Sequence, residues 1–317
     1  MARTKKSSSG NSQSESQSSC TTTGNRFGQQ LSANGVVHAR WEAKLPQDFD
    51  EVKVYLDRDR ASASPEPEDW QDYLEAVGES RNEATLQLTT WYKVAKPPPG
   101  KGYLCDANLE WTEVDALVTN RIGNAKPDIT ESYRLRKYPQ QSIDDLGAAL
   151  APTSHTMAMP TFAVEAKSIE KGIMEAELQC AYDGAIMVDA ARRAHESLGN
   201  ELGPFWKTTQ ALTLAYNGND MTILANHAVK ITSAIQHHSY PLYSDTPRHS
   251  FEHFKSARKH VRNAQDWSRE RSTRMLEELR NHQYVLHPIT PPQSDLAVRH
   301  NDAHPTTQRR LSDVIEN

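Results

Sequence analysis

The chain has 317 residues, a formal net charge of -5 and a hydrophobic share of 37%, below the roughly 45–50% of an ordinary globular protein. With a mean hydropathy of -0.74, this predicts one large domain flanked by segments that do not fold, and no apolar run approaches the ~18 residues of a transmembrane helix. An acidic whole also excludes binding to nucleic acid by overall basicity, so any such contact must come from a local patch.

The first residues are serine-rich and almost free of apolar side chains. They cannot bury enough surface to offset their ordering entropy, so residues 1–30 are expected to be a long disordered N-terminal tail without a secretory signal. The folded domain is expected over 31–287, and 288–317, with Pro291, Pro292 and Pro305, reads as a polar tail. After Pro65 and Pro67, the residues Trp70, Tyr73, Leu74, Val77, Ala84, Leu88 and Trp91 recur at helical spacing, predicting one helix up to the Pro97-Pro98-Pro99-Gly100 breaker. A mixed segment, 111–120, precedes a loop that enters a strand near Asp128. A low-signal insert covers 139–159, and Thr161–Lys167 reads as a short strand.

Glu170–Leu198 reads as a long helix. Gln210–Tyr216 and Met221–His227 alternate on either side of Asn217-Gly218-Asn219-Asp220, which predicts a hairpin. A strand near Ile231–Gln236 and a helix from Phe251 to Arg280 complete a mixed α/β domain.

Within the strand Thr161-Phe-Ala-Val-Glu-Ala-Lys167, alternation points Glu165 and Lys167 one way and Phe162, Val164 and Ala166 the other. Such a charged pair is costly to bury without a purpose. Upstream lies the single Pro-Asp dipeptide, Pro127-Asp128. Asp128 and Glu165, with the carbonyl of Ala166, are candidate oxygen ligands for Mg²⁺ or Mn²⁺. Lys167 is then placed to orient the attacking water and offset charge on a phosphate. Gln179, 12 positions after Lys167, can reach back from the next helix, and Tyr182 shares its face.

Pro127-Asp128, Glu165-x-Lys167 and the helical Gln179 resemble the PD-(D/E)XK nuclease-like superfamily. Several further segments are similar to an uncharacterised fungal domain of that superfamily: Ala-Asn-Gly at 33–35, Arg-x-Ser-x-Ser-Pro at 60–65, Asn82-Glu83-Ala84, Lys-Pro-Asp-Ile-Thr-Glu at 126–131, Met-Pro-x-Phe-Ala-Val-Glu-Ala-Lys at 159–167 and Val-Arg-Asn at 261–263. The resemblance implies a restriction-endonuclease-like core, a mixed β-sheet flanked by helices, and Mg²⁺-dependent phosphodiester hydrolysis. It also implies a first-helix glutamate in the site, with Glu83 the nearest match and Glu75 its competitor. Two departures stand out: 37 positions separate Asp128 from Glu165, and the Gln-Tyr spacing is three rather than four.

The last helix carries Lys255, Lys259, Arg262, Arg269 and Arg280 on one stripe, which could track a phosphate backbone or form an ordinary solvated face. Lys255, Lys259, Arg262 and Arg269 are the candidate nucleic-acid contacts, with DNA favoured over RNA. His227, His237, His238, His249, His253 and His260 lack a spaced set of partners and read as structural or surface residues. Neither a Gly-rich phosphate loop nor a Gly-x-Ser-x-Gly elbow is present. Three scattered cysteines, Cys20, Cys105 and Cys180, support neither a disulfide framework nor a zinc site. They point to an intracellular location, and the Lys5-Lys6 and Arg309-Arg310 pairs give a lean to the nucleus. The functional expectation is a metal-dependent nuclease. The alternative is an inactive module of the same fold that binds nucleic acid or a protein.

Overall fold

A computed structural model describes residues 26–39, 42–100, 102–112, 117, 122–150, 156–232 and 234–286. Most of the Ser-rich tail, all of 288–317 and much of 111–120 lie outside them. The elements are α1 (Phe27–Ala33), β1 (Val36–His38), α2 (Phe49–Asp57), α3 (Pro67–Glu79), α4 (Glu83–Val94), β2 (Tyr103–Ala107), β3 (Ile129–Arg134), α5 (Gln140–Leu146), β4 (Met157–Ala166), α6 (Met174–Ser197), β5 (Ala211–Tyr216), β6 (Met221–Ile231), β7 (Ala234–Asp245) and α7 (Phe251–Leu286).

The strands form one mixed seven-stranded sheet in the order β1-β7-β6-β5-β4-β3-β2. β4 and β5 pair in parallel and are joined through α6, whereas β5, β6 and β7 form an antiparallel meander. Alternation sorts the side chains onto two faces. Phe162, Val164, Ala166, Leu212, Leu214 and Tyr216 join the core beneath α2, α3, α4 and α7. Ala163, Ala211 and Ala215 face α6. Helices therefore cover both faces of the sheet, as in the expected architecture. No helix of the described residues is long and apolar enough to cross a membrane.

Several sequence expectations need correction. The single helix foreseen across 68–91 is two, because the chain turns at Ser80–Asn82 and Asn82 accepts a hydrogen bond from the Thr85 N–H at 2.8 Å as a new N-cap. Leu88, placed on the buried face by periodicity, is 76% exposed. The tail ends earlier than residue 30, since α1 begins at Phe27 and buries Phe27 and Leu31. Ile231–Gln236 is not a separate strand. Ile231 pairs with Ala234, so this stretch holds the reversal between two long strands. The Thr161–Lys167 strand begins earlier, at Met157, and ends at Ala166.

α6 is buried on nearly every side, and its small residues let it lie close to the sheet. Gly184 is the tightest point. A Cβ there would come within 2.1 Å of the Asn226 side chain, which itself bonds Thr213 Oγ1 at 3.0 Å. Gly184→Ala is expected to lift α6 from β6 and cost about 1–3 kcal/mol, the usual price of overpacking. Urea unfolding measures it, and an unchanged midpoint would show that Asn226 can swing away freely.

Candidate active site

The site forms where β3 begins and β4 ends. Asp128 immediately precedes β3, and the pairing of Ile129 with Val164 sets it beside Glu165. Its Oδ2 accepts the Ala166 N–H at 2.6 Å, and its own carbonyl accepts the Asn108 N–H at 3.0 Å and the Gln87 amide. A carboxylate held by a backbone donor cannot turn away from the end of β4.

α4 supplies the next member. Its second half is tied to β5 by Tyr216, which donates to Thr90 Oγ1 at 2.7 Å, and the preceding α3 is tied to the β5–β6 turn by Tyr73, which donates to the Gly218 carbonyl at 2.8 Å. Gly218, at φ +85°, leaves room for Leu86, whose Cδ1 would lie 2.9 Å from a Cβ there. Glu83 at the first turn of α4 thereby reaches the Lys167 ammonium at 3.2 Å. Glu75 is exposed on α3, so the choice between the two glutamates falls on Glu83.

Lys167 continues the β4–β5 pairing through its N–H to the Tyr216 carbonyl at 2.8 Å. Its Nζ donates to the Ala166 carbonyl at 2.7 Å and lies 3.8 Å from Glu165 Oε2. The Lys167 side chain is 3% exposed and that of Glu165 is 5%, whereas Glu83 is 34% exposed and forms the solvent side of the cluster. Burial disfavours the ammonium, but Glu165, Glu83 and Asp128 outweigh it and raise its pKa.

The sequence reading missed Asp183. It lies on α6 four residues after Gln179, wholly buried, and hydrogen-bonds Glu165. Burial pushes its carboxyl up to about 8. Burial, reinforced by Asp183 and Asp128, drives Glu165 well above the carboxylate range, and burial also raises Asp128. The pair Glu165 and Asp183 therefore shares a proton near neutrality, and Asp183 Oδ2 is buried with no hydrogen-bond partner among the described residues. Nothing in sequence flags this aspartate except its position one helical turn beyond Gln179.

Gln179 is buried on the same side of α6. Tyr182 turns elsewhere: its hydroxyl donates to the Gly123 carbonyl at 3.3 Å, and its ring meets Phe27 edge-on at 6.0 Å. The oxygen donors Glu83, Asp128, Glu165, Asp183 and the Ala166 carbonyl suit a hard divalent cation, and the orphaned Asp183 oxygen is one that such an ion would satisfy. Among the described residues, however, no three His, Cys, Asp or Glu side chains stand as a ready-made cage.

The candidate nucleic-acid contacts separate. Lys255, Lys259 and Arg262 line one cleft, while Arg269 is ion-paired with Asp266 and lies over the Tyr103 ring. Burial lowers His227 to about 3 and His237 and His238 to about 4, in keeping with their structural reading. Cys105 and Cys180 are free thiols.

Fold and site together define a three-layer α/β domain with a buried cluster of carboxylates and one lysine at its strand ends. Residues 61–279 match a family described as a domain of unknown function (DUF7924), and the chain belongs to that family. Every residue of the cluster lies inside the matched stretch. No curated protein and no solved structure matched the chain.

The shared proton has a measurable consequence. A carboxyl with a raised folded-state pKa stabilises the fold below its ordinary pKa and loses that contribution as pH rises through the folded value. For Asp183 the window runs from 3.8 to about 8, at a slope of at most ~1.4 kcal/mol per pH unit per proton. The buried histidines act in the opposite direction below pH 6.5, so the comparison must be with a variant. In EDTA, the stability of Asp183→Asn relative to the wild type should rise steadily from pH 5 to pH 8. Urea titrations at both pH values test this, and a pH-independent difference would refute the shared proton.

Proposed function

We propose that the chain is a metal-dependent nuclease that hydrolyses phosphodiester bonds of nucleic acid, DNA before RNA. The observation that carries this reading is the charge imbalance. One lysine faces Glu83, Asp128, Glu165 and Asp183, and the surplus is relieved only by protons with raised affinity. A divalent cation is the other means of relieving it. The order Pro-Asp, Glu-x-Lys and helical Gln on adjoining elements also follows the pattern that the resemblance to the PD-(D/E)XK superfamily implies.

Asp128, Glu165, Asp183 and the Ala166 carbonyl would hold Mg²⁺ or Mn²⁺, with Glu83 at the open side. When bound there, the ion would supply Lewis acidity and lower the pKa of a bound water. Lys167 is the residue for positioning that water or a phosphate oxygen, since its ammonium is desolvated and held by the Ala166 carbonyl. Attractions in such a site are far stronger than in water. The Ala166 N–H keeps Asp128 oriented, and Gln179 supports from α6.

One observation favours a second reading, a non-catalytic module of the same fold. The Lys167 ammonium is already paired with Glu83 and the Ala166 carbonyl, an arrangement that holds the site together without turnover.

A cleavage assay on single- and double-stranded DNA and RNA with Mg²⁺, Mn²⁺ or EDTA separates them. Wild type should cut only with metal, and Asp128→Asn, Glu165→Gln and Lys167→Met should each lose ~100-fold or more. Calorimetry should show Mn²⁺ binding that the two carboxylate variants weaken. Cutting that survives EDTA or these substitutions would refute the reading. A folded wild type that neither cuts nor binds Mn²⁺ would establish the module.

A further inference from the structure

Away from the carboxylate cluster, the loop before α3 and the first half of α7 enclose a cleft of about 500 Å³. Lys255, Arg258, Lys259 and Arg262 line it from α7 at i, i+3, i+4 and i+7 spacing, which places all four on one helix face. Arg60, Ser62 and Ser64 line it from the loop, and Asp59 and Glu252 are the acids in its wall. Five cations and the hydroxyls of Ser62 and Ser64 therefore line the cleft against two carboxylates, while the Ser256 hydroxyl is engaged by Tyr243 at 2.9 Å.

How much of that charge is already spent decides what the cleft can do. Arg60 is held by Asp266 at 2.8 Å and by Asn263, so it frames the cleft. Among the described residues, Lys259 and Arg262 bond neutral carbonyls, those of Asp57 and of Val94 and Ala95, which leave their charge in place. Lys255 has an exposed partner, Glu252, at 3.5 Å. Arg258 reaches Asp69 only at 3.4 Å, and its Nε is buried without a hydrogen-bond partner among the described residues. Burial, followed by the repulsion of Arg258 and Arg60, lowers the Arg262 guanidinium to about 10, so the group stands to gain from an added anion.

We propose that this cleft is a binding site for a terminal phosphate group, a phosphomonoester. Such a group carries about -1.5 to -2 charge at pH 7 with three strong acceptor oxygens, which matches guanidinium forks and serine donors gathered at one point. A diester backbone, with one charge per phosphate, calls for cations strung along a path. The stripe on α7 does not continue that way, because Asp266 pairs Arg269 and Lys96 beyond Arg262. The proposal stands apart from the catalytic reading and does not need it. The phosphate could belong to the end of a polynucleotide or to a small phosphorylated molecule.

Calorimetry on the full chain in EDTA at low ionic strength tests the site. The probes are inorganic phosphate and an oligonucleotide of about ten nucleotides with either a 5′-phosphate or a 5′-hydroxyl. Wild type should bind inorganic phosphate once. The double variant Lys255→Gln/Arg258→Gln should weaken it about tenfold or more, the loss of a charge-assisted hydrogen bond, with an unchanged melting curve. Ser62→Ala/Ser64→Ala, which touches no helix, should weaken it less. Tighter binding of the 5′-phosphorylated oligonucleotide would support the site and identify a polynucleotide end. Binding of inorganic phosphate alone would support it and identify a small ligand. No phosphate binding by wild type, equal binding by the variants, or equal binding of both oligonucleotides with none of phosphate would overturn it. None of these outcomes depends on whether the Asp128 cluster cleaves anything.

Discussion

The organisation of this domain turns on one buried ammonium. Among the described residues, the Lys167 side chain, 3% exposed, is the one cation paired with Glu83 and Glu165, and it also offsets Asp128 and Asp183 through space. A charge so placed is strongly destabilising if its partners are removed and only weakly stabilising when they are present. Stability is therefore a poor explanation for building the cluster. The surrounding structure holds it instead: the Tyr216–Thr90 bond ties α4 to β5, the Tyr73–Gly218 bond ties α3 to the β5–β6 turn, the Ala166 N–H aims Asp128, and Gly184 lets α6 bring Asp183 down onto Glu165.

Sheet topology explains why these groups meet at all. β4, α6 and β5 form a parallel crossover inside an otherwise largely antiparallel sheet. Parallel strands need such a helix to return the chain, and here the returning helix carries Asp183 past the carboxyl end of β4. Crevices at the carboxyl ends of parallel strands are the usual ligand sites of open α/β sheets. The antiparallel β3 starts at that same end, so Asp128 enters from the opposite chain direction. One strand end thus gathers residues from four separate segments.

What sequence revealed and what it hid follow from the kind of signal each element leaves. The β5–β6 hairpin shows through two-residue alternation around Asn217-Gly218-Asn219-Asp220, and Asp128, Glu165 and Lys167 show because charges are rare in apolar strands. Asp183 was illegible for the reverse reason. α6 is covered on almost all sides, so it has no polar face against which a functional aspartate would stand out. The break between α3 and α4 was hidden because Trp70 through Trp91 keep helical spacing across it, and only the Asn82 cap marks the restart. β1 and β2, at three and five residues, are too short for periodicity to register. The Ala-Asn-Gly at 33–35 belongs to the turn into β1, where Gly35 sits at φ +78° with a Cβ position 3.2 Å from the Ile235 carbonyl.

The basic stripe of α7 shows how a charge pattern divides between structure and surface. Lys259 bonds the last carbonyl of α2, Arg262 those of Val94 and Ala95 at the end of α4, and Arg280 that of Lys137. Cations at helix C-termini satisfy carbonyls that lack an intrahelical donor and complement the helix dipole. Asn263 does the same for Leu56 and Arg58, so the Val-Arg-Asn at 261–263 clamps two helix ends onto α7. Asp266, which a count of positive residues passes over, gathers Arg60, Lys96 and Arg269 and cancels the middle of the stripe. A carbonyl clamp fixes a cation without neutralising it, whereas a carboxylate does both. The positive charge that survives on α7 is therefore not the whole stripe but the part that ends at Arg262, where Lys259 and Arg262 are clamped by carbonyls.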